Sequence, residues 1–174
     1  MEFTLGPETE PPKHLADPAE LFEAYLDFYR QVILRKLEGL SEEELRGSRL
    51  PSGWTPLGLL WHLRCMERRW YEWGFAGRPF DDPWADHGPE DSWAIPADMS
   101  STQVFAAYAA QPARSHLAIA GADLADTAAL GGRFATAAEA PTLAWIHFHV
   151  LQEYARHAGH LDIARELADG AVGE

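Results

Sequence analysis

Cysteine, lysine and long apolar runs are scarce or missing in this sequence, and each shortage removes a class of protein. Cys65 is the single cysteine, so no internal disulfide can form, which suits a reducing compartment. Lys13 and Lys36 are the only lysines, and 14 basic residues against 27 acidic ones leave a net charge of −13. A field of that sign repels phosphate backbones and anionic lipids, so neither nucleic acid nor a membrane is expected as a partner. No apolar run approaches the roughly eighteen residues of a membrane span, and the first ten residues lack the basic start and apolar core of a signal peptide. A soluble, cytoplasmic protein is expected. Gly-rich phosphate loops, a Ser-His-Asp order, internal repeats and strand-like alternation are also missing.

What is present points to a packed helical globule. The chain of 174 residues, with seven Trp and 47% hydrophobic residues, is long enough to bury one core without covalent staples. Residues 1–16, with three Pro and no periodicity, read as an extended N-terminal arm. Asp17-Pro18 then gives a cap followed by a first-turn proline, and Leu21, Phe22, Tyr25, Phe28, Tyr29, Val32, Ile33 and Leu37 recur at helical spacing. Ser41 with Glu44 matches a capping box for a short turn. Thr55-Pro56 opens a second long helix whose inward face takes Leu59, His62, Leu63, Met66, Trp70 and Trp73, leaving Arg64, Glu67, Arg68 and Glu72 as its wet side.

Pro79 to Met99 carries six acidic residues, four Pro, Trp84 and Trp93 without one Lys or Arg. So long a loop in a small domain is expected to cover or border something, here as a tryptophan-anchored flap. Ser100 or Ser101 caps a third helix that runs to about Ala120 around Pro112. Thr136 with Glu139 reads as the box that starts a fourth helix, with Pro141 in its first turn and Gly170 as its stop. The fold class predicted is all-α, a single-domain four-helix bundle over 17–170 with a long irregular loop between helices 2 and 3.

The fourth helix holds the anomaly. At roughly 100° per residue, Glu153 and His157 share the stripe of Ile146, Val150, Ala164 and Leu167, while Gln152, Asp162 and Glu166 face away. A carboxylate and an imidazole on a core face cost several kcal/mol to desolvate unless compensated, and a bound cation compensates both. With His62 from the second helix they form a candidate metal set of two imidazoles and one carboxylate. Such a set leaves a coordination position open, as catalytic zinc sites do. Zn²⁺ is expected first, with Ni²⁺ or Fe²⁺ also acceptable to such donors. A hydrogen-bonded core His and a buried ion pair of Glu153 with Arg156 or Arg64 are the competing explanations. His149 and His160 stand as further ligands, supporting partners or surface groups, with a supporting role first for His160. Cys65, three residues after His62, reads as a small buried apolar side chain before it reads as a thiolate ligand. His14, His87, His116 and His147 read as surface or packing.

The stretch Gly53-Trp54-Thr55-Pro56 through His62, followed far downstream by Glu153-Tyr-Ala-Arg-His157-Ala-Gly-His160-Leu-Asp-Ile, resembles the DinB/YfiT-like metalloenzyme superfamily from the first helix to Gly170. The resemblance implies a four-helix bundle with a divalent ion held by one residue of the second helix and two of the fourth. By position these are His62, Glu153 and His157. In the best-known branch both fourth-helix ligands are His. Glu153 in place of the first of them is similar to the His, Glu, His set of the mycothiol-dependent maleylpyruvate isomerases, and His160 stands where many members have Gln. Relatives of this kind act as S-transferases or isomerases, so the resemblance implies a mycothiol-like thiol as cosubstrate and an electrophilic small molecule as partner; a monomer or homodimer is expected. The alternative is a non-catalytic divalent-metal-binding or stress-associated protein whose site is closed by a fourth protein ligand.

Overall fold

Side-chain caps set where the helices of this chain begin. In a computed structural model, which describes residues 9–89 and 92–172, Asp17 accepts from the N–H groups of Ala19 and Glu20 at the start of α1, Pro18–Leu37. Ser41 and Glu44 make a reciprocal box for the short α2, Glu42–Arg46. Thr55 accepts from Gly58 at the head of α3, Pro56–Arg68, and Ser100 with Gln103 boxes α4, Ser101–Ile119. Each such cap satisfies backbone donors that the helix itself cannot, a contribution of about 1 kcal/mol. The last helix, α5, is Leu143–Asp169 and stops at Gly170, whose left-handed φ of 79° favours glycine.

Four long helices therefore form the bundle, with α1 packed along α5, α3 along α4, and α3 also against α5. Leu57, Leu59, Leu60, Leu63, Val104, Ile146 and Val150 are fully buried between them, and each contributes about 1.5–3 kcal/mol. The described residues contain no β-strand, only isolated bridges such as His87 with Trp93 and Thr127 with Thr142. No helix among them is long and apolar enough to cross a membrane. Residues 9–17 precede the first helix, whereas Met1–Glu8 of the predicted arm, and Glu90 and Asp91 of the acidic loop, lie outside the described residues.

Four expectations change. α3 does not end as an α-helix but continues as a π-helical segment, Arg69–Phe75, in which Ala76 donates to the carbonyl of Tyr71. The wider turn rotates the face that follows it. Second, α5 starts at Leu143 with Thr142 as its cap, so Pro141 lies outside the helix. The Thr136–Glu139 box exists, with Glu139 accepting from the Thr136 amide at 3.1 Å, but it closes an isolated turn. The first donors of α5 go instead to the preceding loop, Leu143 to the Asp126 carbonyl at 2.8 Å and Ala144 to Leu124 at 2.9 Å. Third, the core stripe of α5 stops at Leu161, because Leu167 is 44% exposed. Fourth, Glu67 and Glu72, expected on a wet face, are buried at 0% and 2% exposure. Arg30 of α1, Ser115 of α4 and Tyr154 of α5 all reach Glu67, and Gln111 and Arg114 of α4 reach Glu72 in the π-helical segment, so neither has a solvent face.

Candidate metal centre

His62, Glu153 and His157 meet between α3 and α5. One ligand atom from each lies within 4.8 Å of the others. Glu153 and His157 are one turn apart, and His157 Nε2 lies 3.2 Å from Glu153 Oε2. His62 Nε2 comes to the same oxygen at 3.8 Å, beyond hydrogen-bond range. Two imidazole nitrogens thus converge on one carboxylate oxygen, with only one of them in hydrogen-bond range.

The far nitrogens are engaged. His62 Nδ1 donates to Asp86 Oδ2 at 2.8 Å. Asp86 is fully buried, and Arg69 of the π-helical segment grips both of its oxygens, Nη2 lying 3.1 Å from Oδ2 and Nη1 still closer to Oδ1. That chain fixes the His62 ring and leaves Nε2 as its lone-pair nitrogen. His157 Nδ1 lies 3.1 Å from His160 Nδ1, so His160 supports His157 from behind instead of entering the cluster.

The flanking loop supplies the cover. Trp93 stacks on His62 with ring centroids 4.5 Å apart, and meets His157 edge-on at 5.1 Å. A Cβ at Gly58, one turn before His62, would stand only 2.9 Å from Thr55 Oγ1, the oxygen that caps α3, and in ordinary contact with Trp93 at 3.5 Å. Trp54 closes the next side, 6.0 Å from Trp93 and 6.1 Å from His160.

Electrostatics follow the contacts. Burial pulls the His62 pKa down, but Asp86 and Glu153 outweigh it and the net shift is upward. For His157 burial wins over the opposing Glu153 carboxylate, and the pKa falls, keeping the ring neutral and able to donate a lone pair. His157 first, and His62 second, hold the Glu153 carboxyl far below the usual carboxylate range. Asp86 drops to about 2, since the bonds from His62 and Arg69 overcome its burial. An ionised carboxylate facing imidazole nitrogens whose other nitrogens are already bonded is the donor set that a tetrahedral divalent ion accepts.

The remaining candidates stand apart. Cys65 is 2% exposed and outside this group; burial raises its thiol pKa, as does the Asp86 charge. His149 packs on Trp70 and stacks on Trp145, with centroids 4.3 and 5.3 Å away. His147 is buried, bonded to the Tyr71 hydroxyl at 2.7 Å. Asp86 and Arg69 were not singled out by sequence reasoning. Asp86 is one of six acids in an aperiodic loop, and Arg69 stands where the helix changes pitch.

No curated protein matches the chain. A family model described as mycothiol-S-transferase matches residues 21–170, which span α1 to Gly170 and include His62, Glu153 and His157. A match over that much of an all-α bundle identifies the chain as a member of the mycothiol S-transferase family, a DinB-like family.

Proposed function

We propose that His62, Glu153 and His157 hold one divalent ion, zinc first, and that the protein is a metal-dependent S-transferase for a low-molecular-weight thiol of the mycothiol type. The observation that carries this is the convergence of two Nε2 atoms and one carboxylate within 4.8 Å, with both Nδ1 atoms already bonded. A divalent ion in such a site supplies Lewis acidity, which lowers the pKa of a thiol and so raises the thiolate fraction near neutral pH. The chain's own residues do the rest. Asp86, anchored by Arg69, keeps His62 in one tautomer and one orientation. Glu153 contributes the negative charge that offsets the cation, and Trp93 excludes water from one side of the cluster. His160 turns its nearest nitrogen to His157, which favours an open coordination position and therefore an enzyme over a closed metal-binding protein.

The test is to load the protein with zinc and follow thiol conjugation with mycothiol and monochlorobimane, a generic electrophile. Conjugation faster than the thiol alone, and lost in His62→Ala, is the expected result. A stoichiometric zinc protein with no such rate across several thiols is instead a non-catalytic metal-binding protein.

A further inference from the structure

We propose that Arg64 and Arg68, on the side of α3 turned away from the metal cluster, form a binding site for a phosphoryl group, free or carried on a small molecule. At about 100° per residue the two lie roughly 160° and 120° around the helix from His62. The site therefore stands apart from the thiol-transfer reading and does not depend on it. Elsewhere the chain pairs its arginines: Arg30 Nη2 reaches Glu67 at 2.6 Å, Arg69 grips Asp86, and Arg114 Nη2 reaches Glu72 at 2.8 Å. Arg64 and Arg68 do not follow, although the chain has 27 acidic residues to offer. They are one turn apart with the same charge, an arrangement that works against a helix. Each has a buried Nε with no hydrogen-bond partner among the described residues. The polar contact that Arg64 does make is weak, from Nη1 to the Cys65 sulfur at 3.7 Å. Glu72, whose charge acts on Arg68, is already taken: Arg114 Nε and Gln111 Nε2 hold one oxygen, each at 3.1 Å, and Arg114 Nη2 holds the other. Burial first, and the Arg64 charge next, pull the Arg68 pKa below the ordinary arginine value.

The surroundings hold both side chains ready and select the ligand. The Arg68 guanidinium lies 3.8 Å over the Phe80 ring, and that of Arg64 4.9 Å over Trp61. Stacking occupies the face of a guanidinium and leaves its N–H edge, which lies in the plane, for an acceptor. Trp61 is itself fixed, its Nε1 donating to the Ala85 carbonyl at 3.1 Å. Phe80 and Ala85 belong to the loop that carries Asp86, so that loop borders this side of α3 as well as the metal cluster. Two forks of like charge call for a ligand with two charges and more than two oxygens. A monocarboxylate fills one fork, whereas a phosphoryl group brings three oxygens and a charge of about −1.5 to −2 near pH 7. On a protein of net charge −13 only so local a pair can capture an anion, and binding should weaken as salt rises.

The experiment is calorimetric titration of the metal-free full chain with inorganic phosphate, and separately with acetate, at low salt and neutral pH. Removing metal first keeps phosphate from binding to a cation. Phosphate is expected to bind, and acetate to bind roughly 10-fold more weakly or less. Arg64→Gln and Arg68→Gln should each weaken phosphate roughly 10-fold or more. Arg46→Gln, at an exposed arginine paired with Glu42, should leave it unchanged. Arg68→Lys keeps the charge but loses the fork, so it should fall between the wild type and Arg68→Gln. Thermal melts show which variants fold, and Arg68→Lys with Arg64→Gln keeps the test decisive where Arg68→Gln does not. No phosphate binding by the wild type, equal affinity for acetate, or the same loss in Arg46→Gln as in the other variants overturns the site.

Discussion

Two polar clusters draw on both α3 and α5, and their difference separates scaffold from site. On α5 they start from adjacent residues, Glu153 and Tyr154; on α3, from His62 and Glu67. Glu67 is fully buried and saturated: Oε1 accepts from Arg30 Nη2 and Ser115 Oγ, both at 2.6 Å, and Oε2 accepts from Tyr154 at 2.6 Å and Arg30 Nε at 3.2 Å. Burial raises its pKa, but Arg30 and the two hydroxyls outweigh that and hold the carboxyl ionised. Glu153 is part-exposed and shares one oxygen between two imidazoles, one of them out of bonding range. A cluster that completes itself ties four helices, with Arg30 on α1, Glu67 on α3, Ser115 on α4 and Tyr154 on α5. A cluster whose donor atoms converge without completing one another invites a further atom.

The largest effect should come from breaking the saturated cluster. Glu67→Ala strands the buried Arg30 charge and should cost about 3–5 kcal/mol in urea unfolding, against little change for Glu153→Gln in the apo protein. If both variants lose equal stability, the clusters do not differ in kind. The sign of the pH dependence follows from the depressed pKa of Glu67. Its contribution is complete above the ordinary carboxylate range and is lost as pH falls through its own lower value. A folded Glu67→Gln variant should therefore have a flatter acid limb than the wild type. Parallel limbs would show that Glu67 is already neutral in the folded protein.

Next, His62→Ala should lose stoichiometric zinc, a drop of more than about 100-fold, because ligand loss exceeds loss of a supporting partner. Elemental analysis after zinc incubation decides it, and retained metal would place the ion elsewhere. Asp86→Asn should weaken zinc by roughly 10–100-fold, since the amide still accepts from His62 but lacks the charge. His160→Ala should cost on the order of 10-fold; an effect as large as that of His62→Ala would make His160 a direct ligand. Smallest of all is Cys65→Ala, for which competition titrations should find zinc affinity unchanged, because the thiol lies outside the cluster.

The same contrast explains how much could be read in advance. The caps at Asp17, Ser41 and Thr55 and the stop at Gly170 are local chemistry, fixed by residues within one turn, and they were legible, as was a cap at Ser100 or Ser101, of which the structure uses Ser100. So was the placement of His62, Glu153 and His157 together, because polar side chains on an apolar stripe violate a periodicity that the eye can follow. Glu67 and Glu72 were misread for the same reason. A hydrophobic stripe defines an outside only when one side of a helix meets solvent, and α3 is covered on several.

By itself, then, the sequence determined the four long helices, the ends at Asp17, Ser41, Thr55 and Gly170, the all-α class and the three residues whose polarity sits on core faces. The tertiary structure alone decided that Asp86 and Arg69 stand behind His62, that Trp93 covers it, and that Thr136 and Glu139 cap no helix. Helix signals act over three or four residues, where the backbone itself sets the geometry. A loop residue has no period, and its partner is chosen only when the bundle closes and every buried charge must find one.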